Sequence, residues 1–242
     1  MLRTIQIVAL LQGIFLIFIL IKGKARYRPM TFWLFLATII AVLLFLIGDD
    51  ENNLFLDDVD LFLLDSSLFV TFFFLFFRYL RSGKGSFQKM DYLFFLPNVV
   101  YLIVEISELI TEEENWLLQV VELAVEFTFL VYLLYIIYYS IQNKPRGWML
   151  YFAIPMATLL GLSYFNDILG LLGADEIVVS SSDDFSSYLL VVIAFLFYFI
   201  TFSLINHPKN ILPNAKINSY KRSNLNPEII SHCKYALIKI RA

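Results

Sequence analysis

The sequence predicts an all-α fold: a polytopic membrane protein with a seven-transmembrane-helix bundle and a short helix at its cytoplasmic C-terminus. Hydrophobic residues make up 60% of the 242 residues, more than a soluble domain of this length can bury in one core. Seven apolar stretches are each about long enough to cross a bilayer. Every lysine and arginine except Arg3 falls into one of four clusters that lie between or after those stretches.

The seven predicted helices follow from length and apolar composition. A crossing takes about 20 mostly apolar residues at a rise of about 1.5 Å each. The stretches that qualify are 5–21, 30–48, 61–80, 92–109, 116–140, 148–165 and 188–205. Trp33, Trp116 and Trp148 lie near their ends and are interpreted as anchors at the membrane boundary. A signal peptide is the alternative for the first stretch, but it ends at Lys22 without a small-residue cleavage site.

The basic clusters predict the orientation of the bundle. Lysine and arginine are retained on the cytoplasmic side during insertion, so we place all four clusters in the cytoplasm. The alternate loops are acidic and contain no lysine or arginine; they include residues 49–60, 112–114 and 175–184. With seven crossings, the N-terminus lies outside and the C-terminus lies inside.

Three regions are predicted along the chain: the bundle over residues 1–205, a polar cytoplasmic connector over 206–225 and an amphipathic linker helix over 226–242. Asn226 suits the N-cap of that helix and Pro227 its first position. A short apolar seam follows at Ile230, Cys233, Leu237 and Ile240. The seam either packs under the bundle or contacts a second copy in a homodimer, since fewer than two heptads cannot hold a dimer alone.

Carboxylates inside the predicted spans are the candidate ligand-binding residues, because ionisable groups are costly in a membrane. Glu122 and Glu126 are four residues apart and share one face of the fifth helix. With Asp65, Glu105 and Tyr132 they predict a pocket in the outer half of the bundle for a small ligand. The carboxylates either bind protons or face water and a cationic or polar ligand. Asp167 is a further candidate, and in the alternative interpretation Asp65, Glu105 and Asp167 simply extend to the outer interface.

Two prolines are predicted to bend helices that run from the inside to the outside. Pro97 and Pro155 each lie within a predicted span near its cytoplasmic end, where the missing N–H frees a carbonyl. The bends either reflect packing geometry or act as hinges.

Enzymatic chemistry is not expected. Both histidines, His207 and His232, lie after the last span, so a membrane-embedded zinc site or a serine–histidine pair would lack its base. The sequence has no glycine-rich phosphate loop and only one cysteine. We therefore expect no catalytic residue, metal or cofactor.

Three short motifs resemble the membrane-embedded N-terminal region of a group of bacterial AraC-type transcription regulators. They are Leu-Leu-Gln at 10–12, Phe-Arg-Tyr-Leu-Arg-Ser at 77–82 running to Asp-Tyr-Leu-Phe-Phe-Leu-Pro at 91–97, and Ser-Tyr-Lys-Arg-Ser at 219–223. The resemblance implies about seven helices in the inner membrane, a cytoplasmic linker helix and a DNA-binding domain. This chain stops at Ala242, before that domain, so DNA would be reached only through a part that this chain lacks. Either the molecule is a fragment, or the gene is truncated, or the protein acts through a partner.

The expected function is signal sensing in the membrane, coupled to a cytoplasmic regulator of transcription. The lipid bilayer and an unidentified small ligand are the expected partners. A small secondary transporter or proton-coupled carrier that uses the same carboxylates is the alternative. An assembly subunit without a ligand is the third interpretation.

Overall fold

The structure is a computed structural model that describes residues 2–24, 27–48, 67–111, 116–142, 148–172, 182–206 and 212. This part of the chain is helical and contains no β-strand, which confirms the all-α prediction. The α-helices are α1 (Leu2–Gly23), α2 (Pro29–Gly48), α3 (Ser67–Ser82), α4 (Leu96–Thr111), α5 (Trp116–Gln142), α6 (Leu150–Leu171) and α7 (Ser182–Asn206). A 3-10 helix, Lys89–Phe95, precedes α4.

Four of the described helices are long and apolar enough to cross a membrane, which indicates a multi-pass membrane protein. Their spans are Thr4–Gly23, Pro29–Ile47, Trp116–Gln142 and Leu150–Leu171. The described α3 and α4 have 16 residues each and are about 24 Å long, less than the roughly 30 Å of hydrocarbon. α7 has an apolar part of which Val191–Asn206 is described. Seven crossings therefore remain a prediction.

The helices form a ring in which each packs against its neighbours. The contacts run from α1 to α2, α2 to α3, α3 to α5, α5 to α6, α6 to α7 and α7 back to α1. α4 packs mainly on α5, and the 3-10 helix contacts both α3 and α4. α5 is thus the helix that joins α3, α4 and α6.

Aromatic side chains of α2, α3 and α6 pack against one another in the core of the helix bundle. Phe73 lies 4.3 Å from Phe152 of α6, and Phe35 of α2 lies 4.8 Å from Phe76, measured between ring centroids. Phe77 is fully buried as well. Because lipid is as apolar as these side chains, close packing and ring geometry, rather than the hydrophobic effect, hold the helices together.

A glycine permits the close approach of α1 to its two neighbours. A Cβ atom on Gly13 would lie 2.5 Å from Cδ2 of Leu43 in α2 and 2.8 Å from Cε2 of Phe197 in α7. Both separations are far below van der Waals contact. Any larger side chain at Gly13 would push α1 away from α2 and α7.

Buried polar side chains connect neighbouring helices in two places. Gln6 in α1 donates a hydrogen bond from Nε2 to the carbonyl oxygen of Leu46 in α2, at 2.8 Å. Thr71 in α3 donates from Oγ1 to Oδ1 of Asn98 in α4, at 2.7 Å. Hydrogen bonds of this kind help to fix which helices pair in a membrane.

The two prolines occupy different positions in their helices. Pro155 is the sixth residue of α6, within the helix as the sequence predicts. Pro97 is the second residue of α4, because the predicted helix over 92–109 begins as the 3-10 helix Lys89–Phe95. Pro97 has no N–H to donate, and the first turn of an α-helix needs none. The hinge role of both prolines remains a prediction.

Leu212 lies in the predicted polar connector and is fully buried as part of the hydrophobic core. This one residue of the predicted connector therefore packs against the bundle. The rest of the connector and the predicted linker helix lie outside the described residues, and so does the seam of Ile230, Cys233, Leu237 and Ile240.

Candidate functional site

A polar cleft of about 540 Å³ lies between α5 and α6 and is hereafter called the α5–α6 cleft. Three of its lining residues are carboxylates and three others carry an amide or a hydroxyl group. The described lining consists of Gln119, Glu122, Leu123, Glu126, Ser163, Asn166, Asp167, Gly170 and Leu171.

Helical periodicity places these side chains on two facing walls. On α5 the polar residues Gln119, Glu122 and Glu126 recur at spacings of three and four, which is one helix face. On α6 the residues Ser163, Asn166 and Gly170 recur in the same way. α5 and α6 are consecutive and packed together, so the first half of α5 meets the second half of α6.

The floor of the cleft is shielded from solvent. Asn166 is only 8% exposed, and the Oε2 atom of Glu126 has no solvent contact. Near the mouth, a Cβ atom on Gly170 would meet nothing within 4 Å, so glycine leaves that wall open. The size and polarity of the cleft suit a small molecule that bonds with its carboxylates.

The ionisable side chains of the described lining are all acidic. Glu122, Glu126 and Asp167 contribute carboxylates, and the described lining contains no lysine, arginine or histidine. Among the described residues, no three histidine, cysteine, aspartate or glutamate side chains lie close enough together to hold a metal ion. The cleft is therefore suited to hydrogen bonding and to positive charge.

The structure brings together three of the carboxylates that the sequence singled out, Glu122, Glu126 and Asp167. Tyr132 is not part of the described lining. Its ring stacks on Phe74 at 4.4 Å between centroids, and its hydroxyl donates to the carbonyl oxygen of Phe94 at 3.3 Å. Of the other candidates, Asp65 lies outside the described residues, and only the backbone of Glu105, in α4, is described.

Apart from Asp167, sequence reasoning missed the α6 wall of the cleft. The residues it missed are Ser163, Asn166, Gly170 and Leu171. The signal that could have found it is the short connection between the predicted fifth and sixth helices. Helices joined by a few residues pack antiparallel, so polar residues late in α6 face polar residues early in α5.

A second polar cluster lies at the opposite end of α5. The loops and helix ends that carry Lys24, Arg28, Arg78, Arg81 and Lys84 are together called the basic end. Arg28 lies beside Gly83, since its Nη1 atom would be 3.0 Å from a Cβ atom there. This contact brings the α1–α2 loop and the segment after α3 to the same end of the bundle.

The carboxylate of Asp91 organises the segment after α3. It is 1% exposed and accepts hydrogen bonds from Arg78 Nη1 at 2.8 Å, from the backbone N–H of Gln88 at 2.9 Å, and from the hydroxyl of Tyr79. The guanidinium of Arg78 also lies 4.6 Å from the centre of the Phe94 ring. These hydrogen bonds and the ion pair join residues 78–94 into one unit. The unit includes part of the motif that resembles the AraC-type regulators.

Arg81 attaches this unit to α5. Its Nη1 atom donates to the hydroxyl of Tyr135 at 2.8 Å, and its guanidinium lies 3.8 Å from the centre of the Tyr139 ring. Both tyrosines belong to the second half of α5. The α5–α6 cleft and the basic end are therefore linked by one unbroken helix.

Comparison of the chain with protein-family models, with curated proteins and with solved structures finds no match.

Proposed function

We propose that the chain is a membrane-embedded sensor whose α5–α6 cleft binds a small ligand and whose basic end passes the resulting shift to the region after α7. The observation that supports it best is the continuity of α5 (Trp116–Gln142) between the two places. Glu126 and Tyr135 are nine residues apart, which is about 14 Å along the helix axis. A ligand that moves α5 against α6 would thereby move the contacts of Arg81.

The proposal includes seven crossings, an external N-terminus and a cytoplasmic C-terminus. It is supported by the alternation of basic and acidic loops and by the gathering of the α1–α2 loop and the α3–α4 segment at the basic end. In this orientation the cleft opens toward the outside. A thiol reagent that cannot cross membranes should label Cys233, the only cysteine, in inverted inner-membrane vesicles but not in intact cells. Labelling in intact cells would overturn the orientation.

The proposed output is regulation of transcription, as in the AraC-type regulators that the motifs resemble. DNA would be contacted by a domain other than the helix bundle, either on the same polypeptide or on a partner. Leu212 supports mechanical coupling, because its burial in the core ties the connector to the bundle.

The coupling is tested with a fluorophore on Cys233 of the purified chain in nanodiscs. Ser163→Phe fills the cleft and serves as a permanently occupied form. Thr158→Phe adds the same ring to an exposed position of α6 outside the described lining and is the matched control. We expect the emission of the fluorophore to change with Ser163→Phe and to stay unchanged with Thr158→Phe. Equal spectra for both variants and the native chain would overturn the coupling.

A proton-coupled carrier remains the alternative use of the carboxylates. A carrier needs a polar path that reaches both faces of the membrane. The described lining reaches only to Glu126 on α5 and to Ser163 on α6, and Arg81 with its tyrosines lies beyond it. This favours a sensor. Flux of a bound ligand or of protons in proteoliposomes, abolished by Glu122→Gln with Glu126→Gln, would establish the carrier instead.

A further inference from the structure

We infer that residues 84–96, hereafter called the boundary segment, form a docking surface for anionic phospholipids. The surface lies at the basic end of the bundle, outside the α5–α6 cleft, and is independent of the orientation of the bundle and of the proposed sensor function. Its support comes from the way the segment distributes apolar, acidic and basic side chains between its two sides.

The outer side of the boundary segment is apolar. A 3-10 helix has three residues per turn, so side chains three residues apart lie in one row. Met90, Leu93 and Leu96 follow this spacing through the 3-10 helix and its C-cap, and each is more than half exposed. The row continues into α4 at Val99 and Ile103, which are also more than half exposed. Because α4 packs on α5, which is long and apolar enough to cross a membrane, this row faces lipid.

The inner side of the segment holds its carboxylate. Asp91 and Phe94 form the next row of the 3-10 helix. Asp91 is buried and bonded to Arg78 and Tyr79, and the ring of Phe94 lies 5.1 Å from the ring of Phe74 in α3, measured between centroids. The segment therefore turns its acidic group inward and its apolar row outward, which is the reverse of a helix on the surface of a soluble protein.

The exposed charge of the boundary segment is positive. Lys84 and Lys89 are both exposed, and Lys84 donates a hydrogen bond from Nζ to Oε1 of Gln88, a neutral acceptor, at 2.9 Å. Among the described side chains of the basic end, Asp91 is the only carboxylate, and it forms an ion pair with Arg78 at 2.8 Å. The two lysines thus attract an anion from outside the protein.

A neighbouring lysine lies beside an aromatic ring that suits the level of the headgroups. The Nζ atom of Lys24 lies 4.4 Å from the centre of the Trp33 ring, and Trp33 is half exposed. Tryptophan is enriched at the boundary between headgroups and hydrocarbon, and a lysine near a helix end extends toward the headgroups. Lys24 therefore adds positive charge beside the boundary segment.

The combination selects a ligand with an anionic head and apolar chains. A soluble anion would contact the lysines and leave the apolar row uncovered, whereas a zwitterionic lipid would cover the row without net charge for the lysines. An anionic phospholipid meets both requirements. Each basic side chain near an anionic membrane surface strengthens the attraction by about fivefold.

The test measures which lipids lie beside Leu93. The full chain with Leu93→Cys and Cys233→Ser carries a bimane fluorophore at position 93 and is placed in phosphatidylcholine nanodiscs. A quenching spin label is supplied on the acyl chain of either phosphatidylglycerol or phosphatidylcholine, at equal low concentration. We expect phosphatidylglycerol to be preferred by about tenfold or more. Leu117→Cys, at a similarly exposed leucine of α5 at the opposite end of the bundle, is the matched control and should be quenched equally by both lipids.

Charge variants separate the role of the lysines from that of the apolar row. Lys84→Gln together with Lys89→Gln should lower the preference at position 93 by about fivefold or more, whereas Lys84→Arg together with Lys89→Arg should preserve it. Soluble glycerol phosphate, at the concentration of the labelled lipid, should leave the quenching unchanged.

Equal quenching by the two lipids at position 93, the same preference at position 117, or equal effects of the glutamine and arginine pairs would overturn the docking surface. Loss of the preference on addition of glycerol phosphate would also overturn it, because the lysines would then form a site for soluble anions.

Discussion

Replacing Asp91 by asparagine tests whether the segment after α3 is held by a buried charge. The carboxylate accepts hydrogen bonds from Arg78, Tyr79 and the N–H of Gln88, and its side chain is 2% exposed. Asparagine has nearly the same shape but no charge, and only one of its terminal groups accepts a hydrogen bond. The substitution therefore removes the ion pair with little change in packing.

The expected cost follows from the contacts. Removing one partner of a buried ion pair destabilises a protein by about 3–5 kcal/mol, because the other charge is left without compensation. The side chain of Arg78 is 32% exposed, so its guanidinium can turn partly toward water or headgroups. This places the effect near the lower limit, at about 3 kcal/mol. Each charge-assisted hydrogen bond contributes roughly 1.5–3 kcal/mol, so the loss of one or two of the three is consistent with a cost of about 3 kcal/mol.

The assay is reversible unfolding in mixed micelles, with the free energy of unfolding compared for the native chain, Asp91→Asn, Arg78→Met and the double variant. If the two side chains act as a pair, the double variant should be less destabilised than the sum of the single variants, with a coupling energy of about 1–3 kcal/mol. A change below about 0.5 kcal/mol for Asp91→Asn, or a coupling energy of zero, would refute the role of the pair.

Two further predictions concern helix packing. Gly13→Val should destabilise the bundle by about 1–3 kcal/mol in the same assay, because a Cβ atom there collides with side chains of α2 and α7. Gly161→Ala is the control and should have little effect, because its Cβ atom would lie 3.9 Å from its nearest neighbour. Equal effects would contradict the close approach of α1. Asn98→Leu should cost about 1–3 kcal/mol by leaving the buried hydroxyl of Thr71 without its acceptor, and adding Thr71→Val should restore much of the loss. An additive double variant would contradict that pairing.

Sequence reasoning located α1, α2, α5 and α6 because the length of an apolar stretch is a local property of the chain. The predicted stretch 30–48 corresponds to Pro29–Gly48, and the predicted stretch 116–140 to Trp116–Gln142. In both cases the apolar composition of the stretch identifies the helix.

The start of α4 could not be predicted in the same way. Residues 92–95 are as apolar as a helix requires, yet they belong to the 3-10 helix Lys89–Phe95. The carboxylate of Asp91 is held by Arg78 and Tyr79, which lie 13 and 12 residues earlier. That distant attachment fixes the segment before Pro97, and no local pattern in the sequence reports it.

Part of the candidate site could be predicted because helical spacing is a local property of the sequence. Spacing alone places Glu122 and Glu126 on one face of α5. The same arithmetic, about 100° per residue, puts Tyr132 roughly 120° around the helix from Glu126, on the side that packs against Phe74. The α6 wall depends on which helices are neighbours, which is a property of the folded chain and not of either helix alone.

The distribution of burial supports the proposal that the responsive site lies between α5 and α6. In α2, 67% of the spanning residues are buried inside the protein, and α3 is surrounded by aromatic rings. In α5 and α6 the buried shares are only 28% and 22%. A helix with a low buried share shifts at a lower cost in free energy than one that is buried over most of its length. In the proposed mechanism, such a shift of α5 would reach the basic end through the contacts of Arg81 with Tyr135 and Tyr139, and the more deeply buried α2 and α3 would stay in place.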